Sequence, residues 1–125
     1  MTGPAGGGCT TVEGFLAFDV ALRSGKLVSK AMLGKMWRAY PEKSSSAYCY
    51  GFGIFERPAD RAVGHNGGLP GISADLLMYL DAGHTPAVLS NYGNGTPPAS
   101  QKIQILLGRD QSTVQGDRGS IRKTR

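Results

Sequence analysis

Apolar residues near the start of the chain recur with helical spacing and predict two helices. Thr10 and Glu13 form the pattern of a capping box, in which a hydroxyl and a carboxylate each bind a free backbone N–H at a helix start. We therefore place the first helix at about 11–24, with Gly25 ending it. A shorter helix begins after Ser29. The apolar positions of the first helix are Val12, Phe15, Leu16, Phe18, Val20 and Leu22.

From residue 48 the apolar period changes to two, which is typical of strands. We expect 48–56 to form one strand. One face of it is apolar, and the other carries glycines and therefore few side-chain atoms. After a turn near Pro58, 61–65 is expected to return antiparallel to it. The predicted apolar face consists of Tyr48, Tyr50, Phe52 and Ile54.

Glycine and proline separate the remaining predicted elements. A glycine-rich bend at 67–71 precedes a strand over 72–81, and a short hairpin at Ala82-Gly83 leads into a strand over 85–92 with a buried Ala-Val-Leu core. Pro97-Pro98 opens a last helix that ends near Gly108. The predicted fold is α+β: an antiparallel sheet of about four strands, with two N-terminal helices and one C-terminal helix packed against it.

The length and net charge of the chain limit the classes of function that it can have. The chain has 125 residues, enough for one modest domain, and a net charge of +5. Residues 109–125 hold five basic and two acidic side chains, so 1–108 is nearly balanced. We expect a domain at 1–108 and a basic, disordered tail at 109–125. The tail carries no aromatic residue to stack on bases, so we expect no nucleic-acid partner.

The chain offers few residues for a metal, a cofactor or a membrane. Cys9 and Cys49 have neither the spacing of a zinc or redox site nor the density of a disulfide scaffold, and two reduced thiols are expected. No metal site, cofactor or membrane contact is predicted, and no apolar run is long enough to span a bilayer. The N-terminus does not resemble a signal peptide, so we expect a cytoplasmic protein, although a longer form could be exported.

The most unusual segment is 64–71, in which glycines surround His65 and Asn66. One interpretation is a turn whose glycines supply positive φ and whose histidine is solvated. The other is functional: glycine N–H groups face an anion or a developing oxyanion, with His65 beside them. His84, at a predicted turn, and Asp75 and Asp81, which have no second carboxylate at a defined spacing, are weaker candidates.

Several segments together resemble the C-terminal part of the penicillin-recognising serine hydrolases, the class C-like β-lactamases, esterases and D-aminopeptidases. These are Tyr-Gly-Phe-Gly-Ile at 50–54, Gly-His-Asn-Gly-Gly-Leu-Pro-Gly-Ile-Ser at 64–73 and Ala-Val-Leu-Ser-Asn at 87–91. The segments at 5–18 and 24–29 are similar to the helical part that precedes that sheet. The resemblance covers about residues 4–108.

The resemblance implies roles for four residues of one strand. His65-Asn66-Gly67 matches the third motif of the family, Lys/His-x-Gly, on the strand that walls the active site. His65 would orient the substrate, and the backbone N–H of Gly68 would be one oxyanion donor. A histidine at this position favours ester or peptide chemistry over β-lactam hydrolysis.

The other two motifs of the family are missing upstream of His65, so no catalytic residue is assigned. The family's nucleophile lies in Ser-x-x-Lys and is followed by Tyr-x-Asn. Ser120 to Lys123 and Tyr92 to Asn94 fit these patterns but follow the third motif in reversed order, so we reject both.

We therefore expect a segment of a β-lactamase-related serine hydrolase for a small ester or peptide substrate, catalytically silent alone. Its expected partners are a second copy of the chain or a complementing N-terminal segment. The alternative is a non-catalytic interaction module that docks through an exposed sheet or helix face. A further alternative is a nucleic-acid-associated protein that uses the basic tail, which salt dependence would distinguish.

Overall fold

The computed structural model describes Gly3 and residues 6–38, 48–56 and 60–107. The helices and strands are α1 (Val12–Arg23), α2 (Lys30–Met36), β1 (Tyr48–Cys49), β2 (Phe52–Glu56), β3 (Arg61–Leu69), β4 (Ile72–Tyr79), β5 (Ala87–Ser90) and α3 (96–107). The strands form one antiparallel sheet in the order β1-β2-β3-β4-β5. The predicted α+β fold is confirmed, with four longer strands and a two-residue strand at one edge. The predicted tail lies outside the described residues.

Side-chain caps begin both N-terminal helices. Thr11, one residue later than predicted, is the N-cap of α1, because its hydroxyl accepts the N–H of Gly14 at 3.1 Å. The backbone N–H of Glu13 and the Thr11 hydroxyl lower the pKa of the Glu13 carboxyl. The predicted end of α1 is confirmed: Gly25 has φ +81°, the left-handed conformation that terminates helices. The predicted cap of α2 is also confirmed, since the hydroxyl of Ser29 accepts a backbone N–H.

The single strand predicted for 48–56 is wrong, because the chain reverses at Tyr50-Gly51. These residues have φ of +47° and +85°, and the turn makes β1 and β2 a hairpin in which Tyr48 lies opposite Gly53. Tyr48 and Phe52 therefore point to opposite faces, not to the same face as predicted. Positive φ at both central residues is the requirement of a type I′ turn. The apolar alternation through this segment concealed the turn.

The glycine-rich bend predicted at 67–71 is also wrong in its extent. Only Pro70-Gly71 forms the turn, with Gly71 at φ +84°, and β3 continues to Leu69. A two-residue turn fixes the register from its first pair, Leu69 and Ile72, so Gly67 and Gly68 become strand residues opposite β4. At its other end β4 stops at Tyr79, two residues earlier than predicted.

A loop over 80–86 replaces the short hairpin predicted before β5. Regular pairing begins only at Ala87, because Pro86 accepts from the N–H of Leu77 but has no N–H to donate in return. The prediction of a buried β5 is wrong: its residues are partly buried and Leu89 is 38% exposed. β5 forms an edge of the sheet and is paired on one side only.

Helices cover both faces of the sheet. α1 and α2 pack on the face that carries the larger core, and Leu107 of α3 packs on the opposite face. The larger core contains Leu22, Leu33, Trp37, Phe52, Ile54, Val63, Leu76 and Met78. The smaller core contains Ala62, Leu77 and Tyr79. Each residue set follows the alternation of the strands, so one sheet separates two apolar layers.

Charged side chains join α1 to the strands below it. Asp19, which is buried, forms an ion pair with Arg23 and accepts a hydrogen bond from the Thr85 hydroxyl at 2.7 Å. Arg23 also donates to the carbonyl oxygen of Tyr79 at 3.2 Å. This network fixes the side of α1 that carries Asp19 and Arg23 against the end of β4 and the following loop.

Asp60 holds two loops together at the same end of the sheet. Its carboxylate, nearly fully buried, accepts the backbone N–H groups of Asp81 at 2.9 Å and Ala82 at 3.0 Å. Burial raises the pKa of this carboxyl, but the hydrogen bonds from Asp81 and Ala82 outweigh burial, so the pKa lies below its ordinary value. The ionised form is therefore the one that stabilises the fold.

We expect Asp60→Ala to lower the free energy of unfolding by about 1.5–3 kcal/mol, the usual range for hydrogen bonds to a charged group. The stabilisation is complete above the ordinary pKa, about 4, and is lost as pH falls through the lowered pKa of the folded state. Urea unfolding between pH 7 and pH 2 measures both effects. Equal pH dependence in the variant and the unchanged chain would contradict this role.

Candidate functional site

Two neighbouring glycines leave a hollow on the face of the sheet that α3 covers. Gly53 of β2 lies opposite Gly64 of β3, with Tyr48 beyond it on one side and Leu77 on the other. These four residues form one row across four strands. Its two central members have no side chain, so the ring of Phe55 lies over Gly53, and backbone atoms of Leu76 and Leu77 lie close to Gly64.

The hollow is a pocket of about 290 Å³, near the lower end of the volumes found for small-molecule sites. Rings of Tyr48 and Phe55 line it on the β1 and β2 side, and Gln104 of α3 lines it from above the sheet. Asn66 and Asp75, which lie opposite each other on β3 and β4, supply a polar end. The pocket therefore combines aromatic walls, a backbone floor and a carboxylate.

Gly64 also lies in close contact with the backbone of β4. A Cβ at this position would overlap the carbonyl oxygen of Leu76 and approach the Cα of Leu77 to 3.0 Å. These are backbone atoms of the adjoining strand, so they cannot rotate away. Only a residue without a side chain therefore fits here.

His65 lies at the mouth of the pocket. Regular alternation would place it on the face opposite to Gly64, but its Nε2 lies 3.0 Å from the hydroxyl of Tyr48, within hydrogen-bond distance. The two rings meet edge to face, with centroids 5.6 Å apart. Both side chains are exposed, so the pair is accessible to a ligand.

The hydrogen-bond ladder leaves one side of β3 open beyond Gly64. The backbone N–H of Leu80 donates to the carbonyl oxygen of Arg61, which lies directly opposite it in the register of β3 and β4. Because bonded and non-bonded pairs alternate in an antiparallel sheet, the backbone N–H and C=O groups of the odd-numbered residues of β3 bond to β4. Those of the even-numbered residues point away from β4. β2 pairs with β3 only as far as Gly64. The backbone N–H of Gly68 therefore points to the side of β3 that β2 covers only up to Gly64 and that no described strand covers beyond it.

The structure brings together only part of the predicted site. His65 and Asn66 line the pocket, whereas Gly67 and Gly68 lie farther along β3 and do not. Gly68 contributes an outward N–H, and Gly67 has open space where a side chain would stand. The four residues form a strip along one open strand edge rather than a closed cluster.

Sequence reasoning missed the aromatic walls of the site. Tyr48 was assigned to the wrong face, and Phe55 and Gln104 carried no signal of their own. Asp75, set aside for lack of a second carboxylate, proves to line the pocket. The signal that was available was the glycines at alternate positions of 48–56, which predicted one thin face.

The other candidates fall outside the pocket. His84 is exposed in the loop before β5, and Asp81 accepts the N–H of Arg61 at 3.3 Å. Tyr92 to Asn94 form an exposed turn after β5, while Ser120 to Lys123 lie outside the described residues. Cys9 is exposed and unpaired. Within the described segments no group of three metal-ligating side chains occurs.

No protein family, curated protein or solved structure matches this chain. The relationship to the penicillin-recognising serine hydrolases therefore stays a prediction from the sequence. Among the described helices none is both long and apolar enough to cross a membrane. The cellular compartment also stays a prediction.

We expect Gly64→Ala to lower the free energy of unfolding by about 1–3 kcal/mol, the cost of forcing a methyl group into a packed site. Gly67→Ala is the matched control, because its Cβ meets no atom within 4 Å and its φ is not positive. Thermal unfolding of both variants measures the difference. Equal destabilisation would show that β3 tolerates a side chain at Gly64.

Proposed function

We propose that this chain supplies the sheet wall of the active site of a serine hydrolase of the β-lactamase and esterase type, acting on a small ester or peptide. The observation that supports the proposal is the open edge of β3 after Gly64. There the imidazole of His65 and the outward N–H of Gly68 lie three residues apart on one strand. That is the strip in which the resemblance places the substrate.

An extended substrate can bind along such an edge as an additional strand. Its carbonyl oxygen would accept the N–H of Gly68, which becomes more favourable as negative charge develops on that oxygen in the transition state. His65, held by Tyr48, would orient the substrate beside the pocket. These groups bind and polarise the substrate, and they leave the bond-forming step to a nucleophile.

The nucleophile has to come from a complementing segment. In the family it is the serine of Ser-x-x-Lys, whose lysine activates it, and Tyr-x-Asn assists. We infer that such a segment docks against β3 and completes the site. The chain alone would then bind a substrate without cleaving it.

The first test uses the 125-residue chain alone. We expect no covalent labelling by a fluorophosphonate or a penicillin in intact-mass spectrometry, because no Ser-x-x-Lys precedes His65 in the sequence. Ser120→Ala is the control for the tail. Stoichiometric labelling that Ser120→Ala abolishes would contradict both the proposal and our rejection of the tail motif.

The second test supplies the missing part. In a class C-like esterase, the segment that begins at the helix before the Lys/His-x-Gly strand is replaced by this chain. We expect ester hydrolysis, and a fall of about 100-fold in kcat for His65→Ala, the usual scale for loss of one polar group that acts on the transition state. His84→Ala, in an exposed loop, is the control and should leave kcat unchanged. A folded chimaera without acylation would refute the proposal.

Exposed apolar side chains support the alternative, a non-catalytic module that docks a partner. Val12, Leu16 and Val20 form an exposed stripe on α1, and Val20 is 64% exposed. The ladder of β4 and β5 directs the backbone groups of Ala87 and Leu89 outward at the sheet edge. A neutral, apolar edge strand is a template for pairing with another chain.

Under this alternative we expect the chain to form a dimer or larger assembly at micromolar concentration, and Leu16→Glu to shift it toward the monomer. Ala17→Glu, an adjacent exposed position, adds the same charge outside the stripe and should change nothing. Sedimentation velocity measures the distribution. A monomer with a sharp cooperative melt would exclude self-association through α1.

A further inference from the structure

We propose that the pocket over Gly53 and Gly64 binds a small organic ammonium ion, with its charge at Asp75 and its apolar part between the rings of Tyr48 and Phe55. The inference goes beyond the hydrolase proposal and does not depend on it. A chain that never hydrolyses an ester could still bind such a ligand. Direct binding therefore tests it.

The described charged side chain of the pocket is a carboxylate. Among the described residues, Asp75 is the only carboxylate that lines the pocket, and no described lysine or arginine lines it. Asp75 is half-buried, and its carboxylate forms no hydrogen bond or ion pair with another described residue. Partial burial weakens solvent screening, so a carboxylate without a cationic partner attracts a ligand cation more strongly than a fully exposed one does.

The rings of Tyr48 and Phe55 both line the pocket beside Gly53. The ring of Phe55 lies over Gly53, with its Cζ 3.1 Å from the place where a Cβ would stand. Tyr48 is the cross-strand neighbour of Gly53 on its other side. Aromatic faces attract ammonium groups through their quadrupole and also cover apolar carbons. A carboxylate beside two rings therefore favours an amine with an apolar group over an anion or a sugar.

The shape of the pocket also limits its ligand. Gly53 and Gly64 contribute backbone alone to the pocket, and the ring of Phe55 lies over Gly53, so a flat group would pack against that ring. The volume of about 290 Å³ accommodates a ligand of the size of benzylammonium. Asn66 offers an amide group beside it.

The test is an NMR titration of the full chain with benzylammonium chloride and, separately, with benzyl alcohol, a neutral molecule of the same shape. We expect benzylammonium to shift the amide signals of Gly53, Gly64 and Asp75, with about 5-fold or greater preference over the alcohol, the scale of one charge and cation–π contact. Equal affinity for the two ligands would overturn the inference. So would the absence of shifts, or shifts only outside the pocket.

Two variants locate the charge. Asp75→Asn should lower the affinity for benzylammonium and leave that for benzyl alcohol unchanged, whereas Glu56→Gln, which changes the net charge equally at an exposed position outside the pocket, should lower neither. Equal losses in both variants would show a general effect of net charge and refute a site at Asp75. If Asp75→Asn does not fold, the comparison of the two ligands on the unchanged chain still decides the question.

Discussion

The absence of a side chain at Gly53 and Gly64 determines the rest of the site. These glycines are direct partners, and the missing side chain of Gly53 lets the ring of Phe55 lie over the backbone of β2. Gly64 has a second constraint, since Leu76 and Leu77 occupy the space that a Cβ would need. The placement of the Phe55 ring and the close approach of β4 to β3 beside the pocket depend on these two positions.

The two ends of the sheet differ in how their backbone groups are bonded. At one end, Asp60 binds the loop after β4, and Asp19 and Arg23 join α1 to β4 and its loop, so buried charged groups fix the backbone. At the other end β3 extends past β2 with backbone groups unpaired by any described strand, and apolar Leu69 and Ile72 are exposed. A rigid end that supports an open end is a suitable scaffold for binding.

Helix caps and apolar periods predicted the helices well, because Gly25 and Ser29 act through bonds within a few residues of themselves. Strand pairing was harder to predict. The turn at Tyr50-Gly51 lies inside an apolar alternation, and Gly67 is a strand residue only because the turn at Pro70-Gly71 fixes the register. His65 was found from its glycine-rich surroundings. The aromatic walls could not be, because cross-strand neighbours are set by that register.

Beyond Gly64, the outward backbone groups of β3 have no described strand beside them. Amide hydrogen exchange of the chain tests this most directly. The ladder predicts slow exchange at His65 and Gly67, whose N–H groups bond to β4, and fast exchange at Gly68, whose N–H points outward. This alternation along one strand is the expected result. Equal protection of Gly67 and Gly68 would mean that another segment already pairs with this edge, and would contradict the account.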